Sequence, residues 1–175
     1  MNIKRISDSI KTSIEKYQEV LKTFTEEEFQ QTPAPGVWSY SEVYSHITRA
    51  NSASLLAIEK CLHQTKPVKS EGISLLARLV LFAGRFPPVK LKAPEKMAAM
   101  VTKISKEEAS NELVKFLHKI EGLVPRIYKC NNSSKIQHPR LGMLNACQWF
   151  RFIEIHSKHH LRQLSRIKKM LSLQN

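Results

Sequence analysis

Leu144-Asn-Ala-Cys-Gln-Trp149-Phe-Arg-Phe152-Ile-Glu-Ile-His156-Ser-Lys-His-His160-Leu-Arg-Gln163-Leu-Ser-Arg-Ile167-Lys-Lys-Met-Leu-Ser-Leu173 contains neither Pro nor Gly. Trp149, Phe152, His156, His160, Gln163 and Ile167 follow one another at steps of three and four, the period of one face of an α-helix. The spacing predicts a long amphipathic helix from residue 144 to about residue 173. Chain length and glycine content agree with a helical protein. The 175 residues contain only 5 Gly, few for a fold built on tight turns or on a phosphate-cradling loop, so a sheet is disfavoured.

Further toward the N-terminus the same period recurs. Ile3, Ile6, Ile10, Ile14, Tyr17, Leu21 and Phe24 predict a first helix. Thr25-x-x-Glu28 fits a capping box for a short extra turn, and Pro33, Pro35 and Gly36 then interrupt regular structure. Ser39-x-x-Glu42 is a second capping box, opening a helix over residues 40–63. Residues 73–86 read as a shorter helix stopped by Pro87 and Pro88, followed by a basic loop with Lys90 and Lys92. Ser105-x-x-Glu108 opens another long helix through Ala109, Leu113, Phe116, Ile120 and Val124, which Pro125 is expected to kink or end. Residues 130–138 read as a polar loop. Four long amphipathic helices and one or two short ones in Pro-containing connections imply an all-α four-helix bundle, one domain over residues 1–175.

Composition bounds the rest. Lys and Arg number 28 against 15 Asp and Glu, giving +13. Arg151, Lys158, Arg162, Arg166, Lys168 and Lys169 place much of that charge on one flank of the last helix. No helix-turn-helix or RNA-binding aromatic motif accompanies it, so we read a solvated face and no specific nucleic-acid partner. The longest apolar block, residues 75–84, contains Arg78 and is far too short for a membrane span. Cys61, Cys130 and Cys147 show no C-x-x-C spacing, and no apolar signal core follows the N-terminal cations, which together fit a reducing cytoplasm.

The candidate chemistry lies on inner helix faces. At about 100° per residue, His160 falls about 40° from His156, within the stripe of Trp149, Phe152 and Ile167. His159 falls on its margin, half exposed. Two imidazoles one turn apart can converge on one metal ion. On the second helix, His46 shares a face with Ala50, Ala53 and Ala57, small residues that leave room between helices for a side-chain site. Glu42, one turn earlier, is a candidate to orient His46 or to act as a base. His63, His118 and His138 read as surface residues. Glu does not follow His156, so the zinc-protease motif is absent.

These segments resemble the DinB-like (DinB/YfiT) superfamily. Pro35-Gly-Val-Trp-Ser39 with Glu42 and His46 is similar to the family's W-S-x-x-E-x-x-x-H, and His138-Pro-Arg-Leu-Gly with His156-x-x-x-His160-x-x-Gln163-Leu is similar to its C-terminal signature. The resemblance implies a four-helix bundle, often paired as a homodimer, with a divalent metal on His46, His156 and His160. It also implies a metal-dependent hydrolase or a thiol-dependent transferase acting on a small molecule. Imidazole ligands suit Zn, Ni, Fe or Mn alike. A metal-binding or stress-associated protein without catalysis is the alternative, and a non-specific nucleic-acid binder a third.

Overall fold

The computed structural model describes residues 1–63, 72–87, 98–130 and 133–172. In chain order these form α1 (Ile3–Lys22), α2 (Glu26–Gln30), α3 (Tyr40–His63), α4 (Leu75–Ala83), α5 (Lys106–Tyr128), β1 (Lys135–His138), β2 (Gly142–Asn145) and α6 (Ala146–Leu171). The basic loop with Lys90 and Lys92 lies outside the described residues.

Side-chain caps set most of the helix starts. Asn2 caps α1 by accepting from the Arg5 N–H, and reciprocal capping boxes open α2 at Thr25 and Glu28 and α6 at Asn145 and Gln148. Ser105 accepts from the Glu108 N–H at the start of α5. Apolar faces then close a four-helix bundle, with α1 and α3 each packing on both α5 and α6. Ile10, Ile14, Tyr17, Ile47, Ile58, Leu113 and Phe150 form the centre and have essentially no exposed surface.

Two tyrosines tie the bundle across its seams. The Tyr17 hydroxyl donates to the Ser157 carbonyl at 2.7 Å, joining α1 to α6 beside His156. The Tyr44 hydroxyl donates to the Tyr17 carbonyl at 2.7 Å, joining α3 to α1. Such buried bonds satisfy carbonyls and fix the rotation of one helix against the next.

Three expectations are corrected. The stretch read as polar loop and helix start holds an antiparallel ribbon, in which Lys135 pairs with Asn145 and His138 with Gly142. Gly142 sits at φ +82°, and a Cβ there would lie 3.1 Å from the Gly72 carbonyl, so a glycine is needed at this crossing. Pro125 does not end α5, which continues to Tyr128. Glu121, Gly122 and Pro125 are all exposed, so the carbonyl that loses its intrahelical donor faces water. Ala53 is exposed, whereas Ala50 and Ala57 are buried as expected.

Candidate metal centre

His46 projects from α3, and His156 and His160 project from α6 one turn apart. All three are buried, with 6–7% of their surface exposed. Their Nε2 atoms face one another: His46 to His156 is 3.2 Å and His160 to His156 is 3.1 Å. All three candidate ligand atoms lie within 4.8 Å of one another, and the described residues contain no other such group of His, Cys, Asp or Glu.

That spacing suits a shared cation. Imidazole nitrogens at ~2.0–2.1 Å from one ion lie about 3.3–3.4 Å apart at tetrahedral corners and about 2.9 Å apart at octahedral ones. The His46–His156 and His160–His156 distances of 3.2 and 3.1 Å fall between the two, and all three ligand atoms lie within 4.8 Å of one another. Three neutral nitrogen donors also match the chemistry of borderline first-row ions.

Burial keeps the imidazoles in their ligating form. It lowers His46 to about 4, helped by His159, and it holds His156 and His160 well below the usual histidine range, helped by the neighbouring imidazoles. At neutral pH each ring is uncharged with a lone pair to offer. Gln163 selects which nitrogen offers it on His160, where Nδ1 lies 2.6 Å from the Gln163 carbonyl oxygen. A proton on Nδ1 donated to that oxygen leaves Nε2 bare and aimed at the cluster. The Nδ1 atoms of His46 and His156 are buried without a hydrogen-bond partner among the described residues, so outer support is concentrated on His160.

Aromatic walls surround the cluster. Trp38 lies against His46 with ring centroids 5.1 Å apart, and Phe152 stacks on His156 at 5.2 Å. Phe152 also meets His138 edge-on at 4.5 Å. His138 is therefore not a surface residue. The ribbon folds it under, and its Nδ1 accepts from the Arg140 and Leu141 N–H groups, both at 3.1 Å. Burial, with Arg140, lowers it to about 4. His63 and His118 are exposed as expected. His159 is half-buried against Phe86.

Glu42 takes a different position from its sequence-stretch neighbour His46. Its Oε2 accepts from the Ser39 N–H at 2.8 Å and from the Ser39 hydroxyl at 2.9 Å, closing the capping box. It makes no hydrogen bond to any of the three imidazoles. Arg151 also departs from the solvated flank assigned to it, pairing with buried Glu154, which Lys158 holds from the other side at 2.7 Å. Gln163 was legible as part of a motif and as an inward residue, but its hold on His160 needed the rotamers.

Comparison with known proteins adds the family. The sequence profile of the DinB superfamily matches residues 9–164. The chain belongs to the DinB superfamily. It is similar to the uncharacterized protein YuaE of Bacillus subtilis (strain 168), with 25% identity over 151 residues that cover 86% of this chain and 90% of YuaE. Its fold is similar to the crystal structure of TT2238, a four-helix bundle protein, at TM-score 0.53 and 17% identity, covering 94% of this chain and 99% of that one. The DinB-superfamily bundle thus presents a three-histidine group that could hold a metal ion.

Proposed function

We propose that this chain is a metal-dependent enzyme in which His46, His156 and His160 hold a divalent ion of the Zn, Ni, Fe or Mn group and a small-molecule substrate reacts beside them. The convergence of three buried Nε2 atoms at 3.1 and 3.2 Å supports the reading most strongly. An ion with positions left open by three ligands supplies Lewis-acid chemistry, lowering the pKa of an entering water for hydrolysis or of an entering thiol for transfer. The chain's own residues prepare that setting. Gln163 fixes the His160 tautomer, and the rings of Trp38 and Phe152 exclude water from the backs of His46 and His156.

Both reactions would use the same open positions. In hydrolysis a water entering them would attack the substrate after losing its proton. In transfer the entering group is a thiol. Once it loses its proton, its sulfur is itself the nucleophile, forming a bond to an electrophilic carbon whose leaving group departs. Among the described residues no helix is long and apolar enough to cross a membrane.

Turnover assays with thiol–electrophile pairs and with esters and amides test this, each run before chelation, after chelation and after metal is restored. Turnover on one of the two panels that disappears with chelator and returns with metal is expected. Stoichiometric metal with no turnover on either panel would assign the site to a non-catalytic metal-binding protein instead.

A further inference from the structure

α4 breaks the burial pattern of the other helices. Its inner face is already docked: Ala77 and Val80 are buried, Arg151 Nε donates to the Leu81 carbonyl, and the Ser74 N–H donates to the Leu141 carbonyl at its start. Its outer face is nevertheless apolar. Leu75, Leu79 and Phe82 are 73%, 59% and 92% exposed and fall within about 60° of one another on the helix. A helix that carries large apolar side chains on the half facing water marks a contact surface.

The charge around that face is of one sign. Arg78 lies on its edge, Arg85 follows the helix, and the described residues 72–87 contain no Asp or Glu, while Glu71 and Glu95 lie outside the described residues. Alongside runs a crevice of about 510 Å³ lined by Arg5, Arg78, Arg151 and Gln148 with Ile6 and Phe82, again with no acidic residue. Arg5 and Arg78 have no side-chain partner among the described residues. An occupant that matches is apolar in its body and anionic at its edge.

We propose that the outer face of α4 docks on an anionic lipid surface, with Leu75, Leu79 and Phe82 entering the interface and Arg5, Arg78 and Arg85 meeting headgroup phosphates. A second copy of this chain fits poorly. Two-fold pairing brings the same patch together twice, setting cations against cations on a molecule of charge +13, with no acid among the described residues of either patch. A protein groove also fits poorly, because a helix of 9 residues offers far less than the ~800 Å² per side of a stable protein interface. A bilayer needs no complementary groove, and burial of a few large side chains plus cationic attraction suffices for reversible binding. This face is separate from the histidine cluster, so its failure leaves the metal reading untouched.

The experiment is co-flotation of the full chain with phosphatidylcholine vesicles and with vesicles rich in phosphatidylglycerol, for wild type, Phe82→Asp, Leu79→Glu and Arg78→Glu. Binding only to the anionic vesicles is expected, weakened by salt, with each substitution reducing the partition by roughly tenfold or more. Melting temperature and metal content are expected to stay at wild-type values. No preference for anionic vesicles would overturn the proposal. So would binding that survives Phe82→Asp and Leu79→Glu, which is the non-specific attraction of a basic protein. A large loss of melting temperature in those variants would show that the chain itself covers this face, and loss of a dimer in light scattering would give the face to a second copy.

Discussion

The histidine cluster between α3 and α6 and the outer face of α4 depart from ordinary burial in opposite directions. One hides three titratable rings with 6–7% exposure; the other leaves Phe82 92% exposed. Burying polar rings costs stability unless something compensates them, and exposing large apolar side chains forgoes stability the chain could have gained. A structure built only for stability would do neither. The difference teaches which kind of partner each region is shaped for: a small cation where lone pairs converge, and an extended apolar and anionic surface where side chains project outward.

The comparison breaks most visibly under added metal. Zn²⁺ or Ni²⁺ at ~100–1000 times its dissociation constant is expected to stabilise the protein by about 3–4 kcal/mol, raising the melting temperature by roughly 5–15 °C. Differential scanning fluorimetry should show the same rise in Phe82→Asp and none in His156→Ala. Equal shifts in all three proteins would place the binding elsewhere.

Acid sharpens it next. In metal-free protein, His46 and His138 are held to about 4, below the ordinary value of ~6.5 that returns on unfolding. The unfolded chain therefore takes up protons first. Stability is complete above ~pH 6.5, falls as pH drops, and levels off below about pH 4, a loss on the order of 2–3 kcal/mol per ring. Urea titrations across that window should show the loss reduced in His138→Gln. An unchanged profile would mean that His138 does not resist protonation.

Gln163→Leu addresses the outer support of the cluster. Removing the oxygen that fixes the His160 tautomer is expected to weaken metal binding by ~10–100-fold, measured by competition with a chromophoric chelator, while stoichiometry is retained. An affinity equal to wild type would show that the 2.6 Å contact does not orient the ring. The smallest effect belongs to α4, where Leu79→Ser and Phe82→Ser are expected to change folding stability by no more than ~0.5 kcal/mol. Phe150→Ala, from the fully buried centre, is expected to cost about 3–5 kcal/mol by the same chemical denaturation.

How much of this was legible depended on whether a signal was periodic or relational. The four long helices were readable because Ile10, Tyr17, Ala57, Leu113 and Trp149 occupy positions whose period survives any tertiary detail. The three histidines were readable for the same reason, since inward faces of α3 and α6 had to meet in a bundle. The ribbon was not. Its two strands are 4 residues each, too short for alternation to stand out, and it turns on Pro139 and Gly142, which read equally as loop. With the ribbon missed, His138 looked exposed. Pro125 misled because its rule concerns helix interiors, whereas here the carbonyl it orphans faces solvent near the end of α5. Glu42 and Arg151 show the limit of spacing. Helical registration put Glu42 one turn from His46, but the Ser39 N–H and hydroxyl were nearer partners, and Glu154 drew Arg151 off the solvated flank. Spacing names which groups can meet and leaves rotamers to decide which do.

The central claim is that three imidazoles from two helices hold one ion. Metal analysis of tag-free protein from metal-replete growth tests it most directly, comparing wild type with His46→Ala, His156→Ala and His160→Ala. The expected result is close to one equivalent of a first-row divalent metal in wild type and less than about a tenth in each variant, since two remaining ligands leave a chelate too weak to survive purification. Wild type below about a tenth of an equivalent, or variants that retain metal at the wild-type level, would contradict the three-histidine site.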